Sequence, residues 1–123
     1  MTPEEAYNIA KEAGPSDTTR KVVCQNLRLA LCYALDIDKC PRDDTREAVC
    51  KTPVLAYNYA YYVDKCPRDD TRKLVCEDPW WAFCYATNVD KCYREDTYTS
   101  AHRFQISLDN YNFWLQKFNL KKS

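Results

Sequence analysis

Glycine is almost absent from this sequence, with Gly14 alone among 123 residues. This scarcity excludes the glycine-rich loops that cradle phosphates and the glycine fingerprint of dinucleotide-binding proteins. No run approaches the ~18 consecutive apolar residues of a membrane-spanning helix. Residues 1–14 also lack the basic start and the apolar stretch of a secretory signal. We therefore expect no membrane partner and a cytoplasmic location, which would be the host cytoplasm if a virus encodes the chain.

An excess of charge of either sign is missing as well. The 18 lysines and arginines balance the 18 aspartates and glutamates, so the formal net charge is zero. A non-specific nucleic-acid binder needs a positive field and a DNA mimic needs a negative one, so nucleic acid is not the expected partner. With 46% hydrophobic and 29% charged residues, the composition is that of one small globular domain.

What the sequence does contain is an internal repeat. The segment 38–46 returns unchanged at 64–72, a shift of 26 residues. The same shift relates two columns of cysteines, Cys24, Cys50 and Cys76 in one and Cys40, Cys66 and Cys92 in the other. Self-similarity at such a period is the signature of a solenoid, in which each unit stacks on its neighbours.

The period divides the chain into three full units with atypical ends. The full units are 17–42, 43–68 and 69–94. Residues 1–16 resemble the second half of a unit and are interpreted as an N-terminal cap. Residues 95–123 form a degenerate unit that ends in an amphipathic capping helix, with Leu108, Tyr111, Leu115 and Phe118 on its apolar stripe. Degenerate ends are expected because one face of each meets water.

Each unit is predicted to consist of two short helices. Asp43 or Asp44 is placed to cap the first helix of its unit. The second helix opens with a cap followed by proline, as in Thr52-Pro53 and Asp78-Pro79, and Asn26 takes the cap position in the first unit. Spacing by four residues puts the repeated alanines on one buried face, where they let neighbouring helices approach closely.

The order Asp43-Asp44-Thr45-Arg46, Val49-Cys50, Pro53, Ala56 and Ala60 resembles that of the leucine-rich repeat variant family of short α-helical repeats. The resemblance covers residues 17–94 and implies an all-α solenoid, although units of that family are often shorter than 26 residues. Some members carry an iron–sulfur cluster in a cysteine-rich N-terminal segment. Residues 1–16 contain no cysteine, so no cofactor is expected here.

Charged residues repeat along with the core. Arg46 and Asp64 exemplify two of these columns, and Lys39, Lys65 and Lys91 form a third. The columns could line a charged groove for an ionic ligand. We favour the alternative, in which aspartate–arginine bridges join adjacent units on an exposed edge, where such pairs contribute little.

The positions that vary between units lie mainly on the second helices. Offsets of seven and eight residues place them on one helical face, away from the alanines. The residues are Arg28, Leu35, Val54, Tyr61, Tyr62, Trp80 and Thr87. Large apolar groups that stacking does not require indicate a surface for a partner. The alternative is that a terminal segment, 1–16 or 103–123, folds over them.

Eight cysteines allow three interpretations. Disulfides such as Cys24–Cys32 or Cys76–Cys84 could tie the two helices of a unit together, but the absence of a signal argues for a reducing compartment. A metal site is disfavoured because there is no Cys-x-x-Cys. Buried free thiols, acting as small apolar side chains, are the favoured interpretation.

The sequence contains no candidate catalytic site. His102 is the only imidazole, and it stands where the preceding units carry a structural cysteine. The paired aspartates are explained as helix caps. We therefore expect a non-enzymatic module that binds another protein. A virus- or phage-encoded inhibitor and a bacterial adaptor would both fit, while a cysteine-based redox or metal-linked sensor and a nucleic-acid-binding helical repeat are the alternatives.

Overall fold

The computed structural model describes residues 1–122, and over this range the chain is helical with no strand. The helices are α1 (Pro3–Ala13), α2 (Asp17–Val23), α3 (Leu27–Cys32), α4 (Asp43–Val49), α5 (Pro53–Tyr59), α6 (Asp69–Val75), α7 (Pro79–Tyr85), α8 (Glu95–Ala101) and α9 (Gln105–Lys117). The predicted all-α fold with two helices in each repeat is therefore confirmed.

The second helix of each full unit changes from α to π geometry in its last turn. The π segments are Tyr33–Asp38 after α3, Ala60–Asp64 after α5 and Ala86–Asp90 after α7. Their backbone bonds span five residues, as where the Lys65 N–H donates to the Ala60 carbonyl at 2.8 Å. The sequence did not predict this change, which ends the α-helical period before the end of the second helix.

The units stack through their helices in a regular order. The second helix of each unit packs against the first helix of the next, so that α3 contacts α4, α5 contacts α6 and α7 contacts α8. The π segments of neighbouring units also contact one another. Because α1 packs on α2 in the same manner, it occupies the place of a second helix at the N-terminal end.

The core repeats with the sequence. One valine of each first helix is fully buried together with two alanines and a tyrosine of each second helix. These columns are Val23, Val49 and Val75; Ala30, Ala56 and Ala82; Ala34, Ala60 and Ala86; and Tyr33, Tyr59, Tyr85 and Tyr111. The tyrosine column continues into the degenerate unit, so its stacking is preserved where other repeated residues are lost.

Side-chain caps open the second helices as predicted. Thr52 accepts a hydrogen bond from the Leu55 N–H at 3.3 Å, and Asp78 accepts from the Trp81 N–H at 3.3 Å. Asn26 accepts from the Leu29 N–H at 3.0 Å. Each of these bonds satisfies one of the backbone donors that a helix leaves free in its first turn.

The first helices are capped differently, and the predicted aspartate caps are wrong. Arg42 is the N-cap of α4, and its N–H donates to the hydroxyl of Tyr59 at 3.1 Å. The same hydroxyl lies 2.8 Å from that of Thr45 and 3.0 Å from the Arg42 carbonyl. Asp44 accepts from the neighbouring Thr45 N–H and lies 3.5 Å from Arg42 Nε, but it stands inside α4 and is not its N-cap. The buried hydroxyl of Tyr59 therefore caps α4, although Tyr59 is 17 residues from Arg42 in sequence.

The same arrangement occurs in all four units. The tyrosine and threonine hydroxyls lie 2.7 to 2.8 Å apart in each. The pairs are Tyr33 with Thr19, Tyr59 with Thr45, Tyr85 with Thr71 and Tyr111 with Thr97. Burial raises the pKa of Tyr111 to about 12, which keeps this phenol protonated at neutral pH.

The prediction that aspartate–arginine bridges join adjacent units on an exposed edge is wrong in both respects. Arg46 donates from Nη2 and Nε to the carboxylate of Asp64 at 2.6 and 3.2 Å, and the Asp64 side chain is 1% exposed. Both residues belong to the unit 43–68, and the π segment Ala60–Asp64 that follows α5 brings Asp64 beside Arg46 of α4. The pair is therefore a buried salt bridge within a unit, and the hydrogen bonds that Arg46 donates to Asp64 raise the pKa of Arg46 above its ordinary value.

The degenerate unit replaces this pair with aromatic packing. Tyr98 stands at the place of the arginine, with its ring against those of Tyr93, Tyr111 and His102. Its hydroxyl donates to Asn112 at 2.6 Å. On α9, Tyr111 and Leu115 are buried as predicted, whereas Phe118 is 60% exposed, so its predicted place on the apolar stripe is wrong: that stripe ends with the helix at Lys117.

Candidate interaction surface

Six of the seven residues predicted to bind a partner are exposed. Thr87 is half-buried, and its hydroxyl donates to the carbonyls of Phe83 and Cys84 in its own helix. The exposed residues are Arg28, Leu35, Val54, Tyr61, Tyr62 and Trp80. Tyr61 and Tyr62 are 44% and 52% exposed, and no terminal segment within residues 1–122 covers them. The alternative in which a terminal segment folds over these rings is therefore wrong for the described chain.

Tyr61 and Tyr62 belong to a larger group that we name the aromatic ridge, consisting of Tyr57, Tyr61, Tyr62 and Trp81. Tyr61 stacks on Tyr57 with ring centroids 5.7 Å apart and meets Tyr62 edge to face at 4.9 Å. Trp81 of the next unit lies 5.2 Å from Tyr57. The ridge thus crosses from one second helix to the next.

Tyr57 and Trp81 were missed by the sequence analysis. Tyr57 precedes Tyr61 by four residues, which is the spacing of neighbours on a helix, and this signal could have found it. Trp81 contacts the ridge across the boundary between units, and no local spacing reveals such a contact. The Tyr57 hydroxyl accepts from the Asn88 amide at 3.0 Å, which adds a polar link between the same two units.

Trp80 belongs to a second aromatic group. Its ring lies 5.4 Å from that of Phe83, which in turn lies 6.2 Å from Tyr111 at the C-terminal end. Among residues 1–122 its ring makes no contact with the ridge. The offset of seven residues that linked Val54 to Tyr61 crosses from α to π geometry, so an α-helical wheel does not describe it.

Two grooves open at the ends of the second helices, next to the ridge. The first has a volume of about 520 Å³ and is lined by Leu35, Lys39, Tyr62 and Lys65, among others. The second has a volume of about 200 Å³ and is lined by Tyr61, Lys65, Asn88 and Lys91. Each groove therefore combines one or more exposed variable residues with two lysines of the repeated column.

The cysteines divide into a half-buried and an exposed set. Cys40, Cys66 and Cys92 are exposed because each follows the lysine that ends a second helix, so the prediction that the thiols are buried is wrong for these three. Burial raises the pKa of Cys50 and Cys76 to about 12 and that of Cys84 to about 11, which leaves them protonated and unreactive at neutral pH.

All eight cysteines are free thiols in this structure. Among residues 1–122 no group of three or more cysteine, histidine, aspartate or glutamate side chains is arranged to hold a metal ion. His102 ends α8, with Nδ1 lying 3.0 Å from the Tyr98 carbonyl oxygen and its ring against that of Tyr98. These contacts give the imidazole a structural role at the end of the solenoid.

Comparison of the chain with family models, curated proteins and solved structures found no match. The resemblance to leucine-rich repeat variants therefore stands only at the level of a helical repeat, with its tyrosine–threonine and arginine–aspartate pairs recurring every 26 residues. None of the helices in residues 1–122 is long and apolar enough to cross a membrane.

Proposed function

We propose that this protein is a non-enzymatic module that binds another protein through the exposed surface of its second helices. The aromatic ridge carries the proposal, because it places two largely exposed tyrosines beside each other on a rigid, stacked scaffold. Tyrosine and tryptophan are the side chains that most often anchor protein interfaces. Exposed rings also reduce the solubility of a chain with zero net charge, so their presence favours a partner that covers them.

The two exposed tyrosines of the ridge, Tyr61 and Tyr62, are not part of the buried core, whereas Tyr57 and Trp81 pack against it. The core of each unit consists of the fully buried valine, alanine and tyrosine columns, to which Tyr61 and Tyr62 do not belong. The corresponding residues of the first unit are Leu35 and Asp36, and those of the third are Thr87 and Asn88. Because three units stack alike with such different residues at these positions, the tyrosines are available for binding. An inhibitor encoded by a virus or phage and a bacterial adaptor both suit such a module.

The competing sensor hypothesis would depend on the exposed cysteines. The half-buried thiols do not support it, since their raised pKa values make them poor nucleophiles. The observation that favours this second hypothesis is the repeated column of exposed cysteines, Cys40, Cys66 and Cys92. No residue set within the described chain supports a metal-linked form of it.

The experiment is a quantitative capture of partners by the tagged protein, with bound proteins identified by mass spectrometry. Tyr61→Ala combined with Tyr62→Ala should keep the helical circular dichroism and weaken capture by about thirtyfold, as expected for a loss of ~2 kcal/mol at an interface anchor. Phe113→Ala combined with Ile106→Ala is the matched control, because both residues are exposed apolar side chains of α9. The control variant should capture as well as the wild type.

Two results would count against the proposal. The tyrosine variant could fold and retain every partner, in which case binding occurs elsewhere. It could also fail to fold, in which case the ridge belongs to the core.

A further inference from the structure

The repeated lysines occupy a backbone conformation that disfavours them. Lys39, Lys65 and Lys91 have φ values of 55, 56 and 56°, in the left-handed region where a β-carbon crowds the following carbonyl. Glycine or asparagine is the usual residue there. The terminal helix α9 follows that rule, since its left-handed residue is Asn119. The presence of lysine at these three internal positions therefore indicates that the lysine side chains are needed for an interaction.

This interaction is not an ion pair within the described chain. Among residues 1–122 no carboxylate lies within 4.0 Å of these three ammonium groups. The aspartate that precedes Lys65 is Asp64, whose charge is buried and bonded to Arg46. At the ends of the second helices, the exposed charge is therefore that of the lysines. Favourable interaction with the helix C-termini offsets part of the strain, but any cation near the last turn would provide it.

The lysines also border the apolar lining of both grooves. Lys39 and Lys65 flank Leu35 and Tyr62 in the first, and Lys65 and Lys91 flank Tyr61 in the second. Asp64 also lines the first groove, but its side chain is 1% exposed and its charge is paired with Arg46. Asp36, the exposed carboxylate among the variable positions, lines neither groove and accepts a hydrogen bond from the Tyr7 hydroxyl at 3.3 Å. The grooves therefore match a ligand that carries negative charge on both sides of an apolar side chain.

We propose that the two grooves bind an acidic segment of a partner protein, with one apolar side chain in each groove and carboxylates against Lys39, Lys65 and Lys91. This inference rests on the proposed function and specifies the chemistry of the partner. Neighbouring packed helices lie roughly 10 Å apart, which a polyproline II segment covers in about three residues, or one turn, with the side chains of residues three apart on the same side. The apolar residues of the segment are therefore expected at positions three apart.

Single-stranded nucleic acid is anionic too, but the ridge suits it less well. Bases bind by stacking on open ring faces. One face of the Tyr61 ring is stacked on Tyr57, and its ring also meets Tyr62 edge to face, so a base could not stack on that covered face. Three lysines on a chain of zero net charge also offer few phosphate contacts.

The test measures binding of a fluorescent octapeptide of glutamate with tryptophan at its third and sixth positions. Two matched peptides replace either all glutamates by lysine or both tryptophans by alanine. The combined variant K39N/K65N/K91N removes the three charges and keeps residues that tolerate the left-handed conformation. The combined variant K21Q/K51Q/K73Q removes three exposed lysines elsewhere and is the control.

The wild type should bind the glutamate–tryptophan peptide about tenfold more tightly than either matched peptide, and the asparagine variant should lose about tenfold while the control variant does not. Equal binding of the acidic and basic peptides, or equal losses in the two variants, would overturn the inference. Tighter binding of a thymidine dodecanucleotide that depends on the same lysines would overturn it in favour of nucleic acid.

Failure of this inference is distinguishable from failure of the proposed function. If the asparagine variant still captures the partners that the Tyr61 and Tyr62 variant loses, the ridge binds protein and the acidic segment is wrong. If neither variant changes capture, the proposed function is wrong as well.

Discussion

The hydroxyl oxygens of Tyr59 and Thr45 lie 2.8 Å apart in a fully buried site, where the same phenol also caps α4 through the Arg42 N–H. One side chain thus joins the second helix of a unit to the start of its first helix. The guanidinium of Arg46 lies over the Tyr59 ring, 5.4 Å from its centroid, and extends the junction to the buried Asp64. Because this junction recurs in each full unit, it is the main specific polar element of the repeat.

Tyr59→Phe should destabilise the protein by ~1–3 kcal/mol, because it leaves the part-buried Arg42 N–H without its acceptor and the Thr45 hydroxyl with the Arg42 carbonyl alone as a partner. Tyr57→Phe is the matched control, since it removes a hydroxyl that bonds only to Asn88 near the surface. Urea denaturation followed by circular dichroism measures both. Equal urea midpoints for the two variants would show that the buried Tyr59 hydroxyl contributes no more to stability than the Tyr57 hydroxyl near the surface.

The repeat, its two helices and the caps at Asn26, Thr52 and Asp78 could be predicted because each follows from local sequence. The cap by Tyr59 could not, since arginine at position 42 gives no capping signal and the hydroxyl comes from 17 residues away. The burial of Asp64 depends likewise on how the π segment Ala60–Asp64 lies beside α4. The π segments carry no known pattern in this sequence. An α-helical wheel therefore does not describe the step from Val54 to Tyr61, which enters the π segment Ala60–Asp64.

The two aspartates that bond to Arg72 should differ sharply in their contribution to stability. Asp90 is 1% exposed and Asp69 is 98% exposed, although both lie within 2.8 Å of the same guanidinium. Asp90→Ala leaves a buried cation without its main partner and should cost ~3–5 kcal/mol. Asp69→Ala should leave the urea midpoint nearly unchanged, because water screens an exposed pair. A similar loss in both variants would contradict the burial of Asp90.

Thiol reactivity should separate the exposed cysteines from the half-buried ones. In native protein at pH 8, Cys40, Cys66 and Cys92 should react rapidly with a chromogenic disulfide reagent, since they are exposed. Cys50 and Cys76, whose pKa burial raises to about 12, should react only slowly. Unfolding in guanidinium without reductant should then release all eight thiols. A count below eight would show that disulfides form in the protein.

Replacing a lysine by glycine should have opposite consequences at two exposed positions. At Lys65, where φ is 56°, glycine relieves a backbone strain of ~1–2 kcal/mol. This gain offsets the ~0.4–1 kcal/mol that glycine costs because it gives the unfolded chain more conformational freedom. At Lys73, inside α6, glycine has no strain to relieve and should destabilise by ~1 kcal/mol. Urea midpoints should therefore place Lys65→Gly at or above the wild type and Lys73→Gly below it. If Lys65→Gly proves the less stable of the two, the lysine side chain contributes to the fold itself, and its presence in a strained conformation no longer indicates a ligand.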